Sequence, residues 1–303
     1  MKKRPAKKSA IAIFSDMDGT MFDDQLTAPT KTSKKALKQL QNHLDKREIP
    51  LVYITGRTLE LVEEAIETHH LPHPTVIAAN VGSEIYRYGD EGWEQCDIWA
   101  ERMRSEWSPA TAKKLGNIVL QIPGAELQPE EFQSEFKRSY YVEPNKTSVN
   151  EVRNILSQED LLQNSTGVKA VVSGPGCIDG SGSPRRIFID FLPSNGSKAN
   201  AATFIARDLR IPMDDVFYAD DSANGLDALN AVGKPVLVGT DEPDIIDMVD
   251  ENVYVSSHPH IFGVIDGLIY HGIMPKLKIA QHDKASQQTG THLHTADKSC
   301  DVS

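Results

Sequence analysis

Residues 10–20 read Ala10-Ile11-Ala12-Ile13-Phe14-Ser15-Asp16-Met17-Asp18-Gly19-Thr20, a short apolar run that ends on two aspartates. A run of this length without polar alternation is the pattern of a strand buried on both faces, as in a parallel sheet. In open α/β sheets ligands bind beyond the carboxyl ends of the strands, which is where both aspartates fall. One carboxylate there can attack phosphorus, and a second two residues on can give and take the leaving-group proton. Gly19 permits a sharp turn, and Thr20 is expected to hydrogen-bond near Asp16. An EF-hand loop needs Asp or Asn at position 20 and glycine at 21, so Thr20 and Met21 exclude it.

Outward from this stretch, strand and helix patterns alternate. Ser33 to Lys46 has Ala36, Leu37, Leu40 and Leu44 at helical spacing, Ile49 to Ile54 is a second buried strand, and Thr58 to His69 is a second amphipathic helix. Thr75 to Ala79 gives a third strand, and Glu84 to Tyr88 with the Trp93 region reads as a hairpin. The expected fold is α/β, a doubly wound, Rossmann-like parallel sheet. From about residue 99 the rhythm changes. A helix is expected around Arg102 to Leu115, strands at Ile118 to Ile122 and Lys137 to Val142, a helix over Val149 to Leu156, and strands at Val168 to Ser173 and Arg186 to Phe191. That is an α+β insert. The parallel pattern then resumes with a helix over Ala199 to Leu209, a strand Val216 to Ala219, a helix near Leu226 to Ala231 and a strand Pro235 to Val238. The expected organisation is a core in two parts, 1–98 (its residues 1–9 a basic tail) and 194–275, an insert over 99–193, and a disordered tail over 276–303.

Composition limits what such a fold can serve. The chain has 303 residues, 39% hydrophobic and 25% charged, and carries a formal net charge of −11 at pH 7. These values fit a globular protein and argue against a nucleic-acid binder. An acidic enzyme that binds phosphate needs a metal ion or a few placed cations to offset its own carboxylates. Three widely spaced cysteines, Cys96, Cys177 and Cys300, suggest neither a disulfide framework nor a zinc site, which favours a reducing, cytoplasmic setting. The basic stretch at 1–8 is followed by too short an apolar run for a secretion signal, no segment has the length of a membrane span, and the sequons at Asn145, Asn164 and Asn195 read as chance.

Three further places complete a phosphate site. Ile54-Thr55-Gly56-Arg57 stands at a strand end before a helix, so the Thr55 hydroxyl and free amides from Gly56 onward can meet a phosphate. Lys198 opens the helix after the insert and supplies a cation. Ala219-Asp220-Asp221-Ser222-Ala223-Asn224 is a second acidic turn after a buried strand. Carboxylates gathered at one sheet edge repel, and a hard divalent cation such as Mg2+ relieves that. Side chains alternate along a strand, so only one of Asp220 and Asp221 is expected to face Asp16.

Together these four ordered motifs resemble those of haloacid dehalogenase superfamily phosphatases. Within that superfamily the chain is similar to the sucrose-phosphate phosphatase family, with a cap of type C2B. The words that carry the likeness are YITGRTLELV from Tyr53, VIAANVGSEIY from Val76, FKRSYYVE from Phe136, IDFLPSNGSKANA from Ile189 and FYADDSANGLDAL from Phe217, and they cover about 11–272. The resemblance implies that Asp16 is the nucleophile and Asp18 the general acid/base. It implies that Thr55, Gly56, Lys198 and Asn224 hold the phosphate, and that Asp16, Asp18 through its backbone carbonyl, and Asp221 rather than Asp220 bind Mg2+. The insert would be the substrate-specificity cap, with Lys137 and Ser139 as sugar contacts, and the small-molecule substrate a phosphorylated sugar, sucrose 6-phosphate or a related glycosyl phosphate.

The chain departs from the family pattern in three places. Ala199 follows Lys198 where glycine is usual, and a Gly/Ser/Pro-rich stretch over Ser173 to Pro184 lengthens the cap. In the acidic turn the pattern G-D-S-G-N-D becomes Asp220-Asp221-Ser222-Ala223-Asn224-Gly225. With Gly225 in place of an acid, weaker Mg2+ affinity is expected, and Gly225→Asp is expected to tighten it. Gly174, Gly176 and Gly180 fail the dinucleotide spacing at Asp179 and read as a hairpin loop. His258, His260, His282, His292 and His294 read as solvated, and Trp93, Trp99 and Trp107 as packing at the junction of core and cap. Two other functions fit the same motifs: a sugar phosphomutase, or a non-catalytic binding or regulatory module beside a sugar-phosphate synthase.

Overall fold

The computed structural model describes residues 10–23, 28–158, 167–174, 186–239 and 243–275. Residues 1–9, 175–185 and 276–303, with Cys177, Cys300, His282, His292 and His294, are among those outside the described residues.

The apolar run becomes strand β1 (Ala12–Ser15), every residue of which is buried. Its alternate side chains enter different layers. Ile13 joins a cluster with Leu37, Leu40 and Leu44 of helix α1 (Lys31–Arg47) and Val62 of α2 (Leu59–His69), whereas Ala12 and Phe14 join a cluster on the opposite face. Apolar residues at both parities are what a sheet covered on two faces requires. Strands β2 (Leu51–Ile54) and β3 (Val76–Ala79) follow on one side of β1, all parallel. A hairpin of β4 (Glu84–Gly89) and β5 (Gly92–Gln95) then adds an antiparallel edge.

The next segment corrects two expectations. The single helix expected over Arg102 to Leu115 is two helices, α3 (Asp97–Glu106) and α4 (Pro109–Val119). Pro109 lacks an amide to donate and opens α4 at its first turn, where the Ser108 hydroxyl accepts the Thr111 amide at 3.3 Å. The strand expected over Ile118 to Ile122 does not form. Leu115, Val119 and Ile122 are spaced for a helix face and pack in the cap, and the strand lies later, at β6 (Ala125–Leu127). Helix α3 puts Trp99, Ala100 and Met103 into the second core cluster.

Beyond it, β7 (Arg138–Val142), α5 (Val149–Ser157), β8 (Val168–Ser173) and β9 (Ile187–Pro193) build the rest of the insert. Its antiparallel sheet runs β6-β7-β9-β8, and α4 and α5 enclose a separate core with Tyr140, Val142, Ile189 and Phe191. The chain returns through α6 (Lys198–Leu209), β10 (Val216–Asp220), the short α7 (Leu226–Leu229), β11 (Lys234–Leu237), β12 (Tyr254–Val255) and α8 (His260–Tyr270). The large sheet has the order β12-β11-β10-β1-β2-β3-β4-β5. Strand order reverses at β1, between β2 and β10, the switch point where α/β sheets open a crevice. The α/β core with an inserted α+β cap is the fold expected. Among the described residues no helix is long and apolar enough to cross a membrane.

Candidate active site

Three loops meet at that crevice because three adjacent parallel strands end there. Ser15 of β1 is in register with Ala219 of β10 and Tyr53 of β2, so Asp16, Asp220 and Thr55 leave the sheet side by side. The Asp16 amide donates to the Ala219 carbonyl at 2.9 Å, which fixes the first aspartate against the second acidic turn. Lys198 comes from the start of α6. Ser197 caps α6 by accepting the Asn200 amide at 3.1 Å, and the first helical side chain is driven into the crevice.

Lys198 is fully buried and bridges two carboxylates, with Nζ 2.9 Å from Asp16 Oδ2 and 2.8 Å from Asp220 Oδ2. Its environment opposes itself: burial disfavours the ammonium, yet Asp16 and Asp220 together win and raise its pKa. Asp16 sits under the reverse imbalance. Burial, with Asp220 and Asp18 adding to it, outweighs Lys198 and pushes its carboxyl up to about 7. One of its oxygens, Oδ1, is buried with no hydrogen-bond partner.

Oxygens of Asp16, Asp220 and Asp221 all lie within 4.8 Å of one another. The expectation that only one of Asp220 and Asp221 faces Asp16 therefore fails. Strand alternation ends with β10 at Asp220, and Asp221, already in the turn, is free to point the same way. Their surroundings still separate them. Asp220 Oδ2 accepts from Lys198 and the Tyr218 hydroxyl, and Oδ1 from the Ser222 amide and hydroxyl at 3.0 and 3.1 Å. Asp221 accepts from the Thr20 hydroxyl at 2.6 Å, and burial, Asp220 and Asp16 all raise its pKa well above the carboxylate range. Thr20 thus hydrogen-bonds beside Asp16, as expected, with Asp221 as its acceptor. Gly19 makes room for that arrangement: at φ +68°, a Cβ on it would fall 2.1 Å from Asp221 Oδ2.

Thr55 is fully buried, and its hydroxyl accepts the Arg57 amide at 3.3 Å. Asp18 is gripped by a residue to which sequence reasoning gave no role. Arg57 Nε donates to Asp18 Oδ2 at 2.8 Å and Nη2 to Oδ1 at 2.6 Å, a two-pronged contact that orients the carboxylate. The signal was its place directly after Thr55-Gly56. Asn224 accepts from the Ser222 hydroxyl at 3.0 Å within the second acidic turn.

The cap reaches this crevice through lysines. Lys137, buried just before β7, donates to the Gly56 carbonyl at 3.0 Å, and burial lowers its pKa. Lys169 on β8, unmarked in the sequence, feels the charge of Asp227 where β8 packs on the Ala223–Gly225 turn. Ser139 turns to Asp190 on the neighbouring strand. The tryptophans take up packing positions: Trp99 donates to the Gly82 carbonyl at 3.2 Å, Trp107 touches both core and cap clusters, and Trp93 stacks on His73.

A buried orphan oxygen, three converging carboxylates and one ammonium to balance them fit a hard divalent cation with oxygen ligands. The chain resembles proteins known by name. It is 29% identical to the probable sucrose-phosphatase 2 of Arabidopsis thaliana over 66% of this chain and 42% of that one. It is 24% identical to the mannosylfructose-phosphate phosphatase of Agrobacterium fabrum over 87% and 98%. A solved sucrose-phosphatase from Synechocystis sp. PCC6803, in complex with sucrose and phosphate, matches at a TM-score of 0.70 with 22% identity, over 87% of this chain and 98% of that one. Four of the curated relatives are much longer, and the chain spans 61%, 42%, 33% and 55% of them. The family description sucrose-6F-phosphate phosphohydrolase matches residues 9–272, and the chain belongs to that family.

Proposed function

We propose that this chain is an Mg2+-dependent phosphatase that cleaves the phosphate ester of a sugar, sucrose 6-phosphate or a related glycosyl phosphate, through an aspartyl-phosphate on Asp16. The observation that carries the reading is Asp16 itself. Its carboxylate stands at the switch point with one oxygen on Lys198 and the other unpartnered. Asp16, Asp221 and the backbone carbonyl of Asp18 would hold the Mg2+, which when bound supplies positive charge where negative charge gathers.

An Asp16 oxygen attacks phosphorus as the bond to the sugar oxygen breaks, and Asp18, aimed by Arg57, hands that oxygen a proton. Asp18 then takes a proton from water, whose oxygen attacks phosphorus and frees Asp16 and inorganic phosphate. Thr55, Gly56, Lys198 and Asn224 hold the phosphoryl oxygens, and Lys198 also favours the ionised form of Asp16 that attack requires. Lys137 supports the sugar assignment, because it brings a cap cation to the turn that holds the phosphate. The core and cap are the parts proposed for residues 1–98 with 194–275 and for 99–193, and the reaction is placed in the cytoplasm.

The test is phosphate release from sugar phosphates by wild type and by Asp16→Asn, with Mg2+ and with chelator. Asp16→Asn is expected to lose at least about three orders of magnitude, since the nucleophile has no substitute. Activity of that variant near wild type, or full activity in chelator, contradicts the mechanism.

A further inference from the structure

Two of the three departures in the acidic turn, those at its ends, are linked in space. Where the family pattern begins with glycine and ends with aspartate, this chain begins with Asp220 and ends with Gly225. A Cβ on Gly225 would lie 2.1 Å from both Cγ and Oδ2 of Asp220. The Asp220 carboxylate therefore fills the volume into which a side chain at 225 would extend. It is completely buried there, and four donors hold it: Lys198, Tyr218, and the amide and hydroxyl of Ser222.

We propose that positions 220 and 225 have exchanged places: the second acid of the turn stands at its start, where it orients Lys198, and the glycine that makes room for it stands at its end. Asp220 is then a positioning residue for Lys198, which touches Asp16 on its other side. Only one of the two positions can carry the acid, because both side chains would claim the same space. The site keeps its full complement of charge, and Gly225→Asp damages it instead of strengthening Mg2+ binding. The inference rests on the reading of Lys198 as a phosphate-holding cation, but its spatial part stands without that reading.

Four variants test it: Asp220→Gly, Gly225→Asp, Gly225→Ala, and the double variant Asp220→Gly with Gly225→Asp. Thermal midpoint in chelator and affinity for inorganic phosphate at saturating Mg2+ are measured for each, followed by kcat and KM on a sugar phosphate. Each single variant is expected to lower the midpoint and weaken phosphate binding by at least about tenfold, since each strips a buried charge of its partner. Gly225→Ala does so without adding charge, by displacing Asp220. The double variant is expected to recover phosphate affinity to within about threefold of wild type, a strong non-additivity.

A Gly225→Asp protein with wild-type midpoint and phosphate affinity overturns the proposal, as does a double variant no better than Asp220→Gly. Should the double variant fail to fold, Asp220→Asn decides. That isosteric change is expected to weaken phosphate binding at saturating Mg2+. If it shifts only the Mg2+ concentration needed for activation, Asp220 is a metal ligand and the exchange is refuted. Recovery of midpoint and phosphate affinity without turnover of any sugar phosphate would remove the proposed function and leave the exchange standing.

Discussion

Asp221 ionises only at the expense of the fold. It stands half-buried beside Asp16 and Asp220, and desolvation and both neighbours raise its pKa. Without a cation, Asp221→Asn removes a repelled charge and is expected to raise the thermal midpoint by several degrees at pH 8. The same variant should abolish the further rise that Mg2+ gives wild type. A lower midpoint in chelator would show that Asp221 is stabilising without metal. The pH dependence follows with a definite sign. Asp16 titrates near 7 in the folded chain and near 3.8 in its ordinary state, so between those values the folded chain binds the extra proton. That contribution is complete below about pH 4 and is lost as pH rises through 7, on the order of 4 kcal/mol for the metal-free protein. Midpoints measured in chelator from pH 5 to 8 should fall more steeply for wild type than for Asp16→Asn. Equal slopes would place Asp16 in a less buried setting than described.

At the scale of elements, the crevice is closed by side chains that cross from cap to core, Lys137 foremost. Lys137→Met keeps the apolar stem and removes the donor to the half-buried Gly56 carbonyl, at a cost of about 1 kcal/mol. The expected kinetic signature is a KM for sugar phosphate raised more than kcat is lowered. A kcat loss with KM unchanged would move Lys137 from the substrate side to the chemistry. Such crossings mark the limit of what a single chain of letters discloses. Strands β1, β2, β3 and β10 were legible because burial on both faces leaves continuous apolar runs, and each motif aspartate was legible by its place at a run's end. Helix α4 was misread because Leu115, Val119 and Ile122 suit either a helix face or a short strand, and Pro109 was not weighed as a helix start. Arg57 and Lys169 were missed for another reason: an ion pair between Arg57 and Asp18 spans 39 positions and leaves no local pattern. The facing of both Asp220 and Asp221 toward Asp16 depends on where β10 stops, a matter of one residue.

For the whole molecule, the proposed function gives the cap, which has a core of its own, the selection of substrate. On the proposed reading, a phosphate at Thr55 and Lys198 would leave the alcohol it esterifies to extend toward the cap, which reaches the crevice through Lys137 at the Gly56 carbonyl and through β8 on the Ala223–Gly225 turn. Closing a cap of this size around a large alcohol excludes water and converts binding energy of the remote sugar into rate. A small alcohol offers nothing for the cap to grip. The most direct test compares kcat/KM, in Mg2+, for sucrose 6-phosphate and other glycosyl phosphates with that for glycerol phosphate. At least one sugar phosphate is expected to exceed glycerol phosphate by about two orders of magnitude or more; glycerol phosphate outperforming every sugar phosphate would contradict the account.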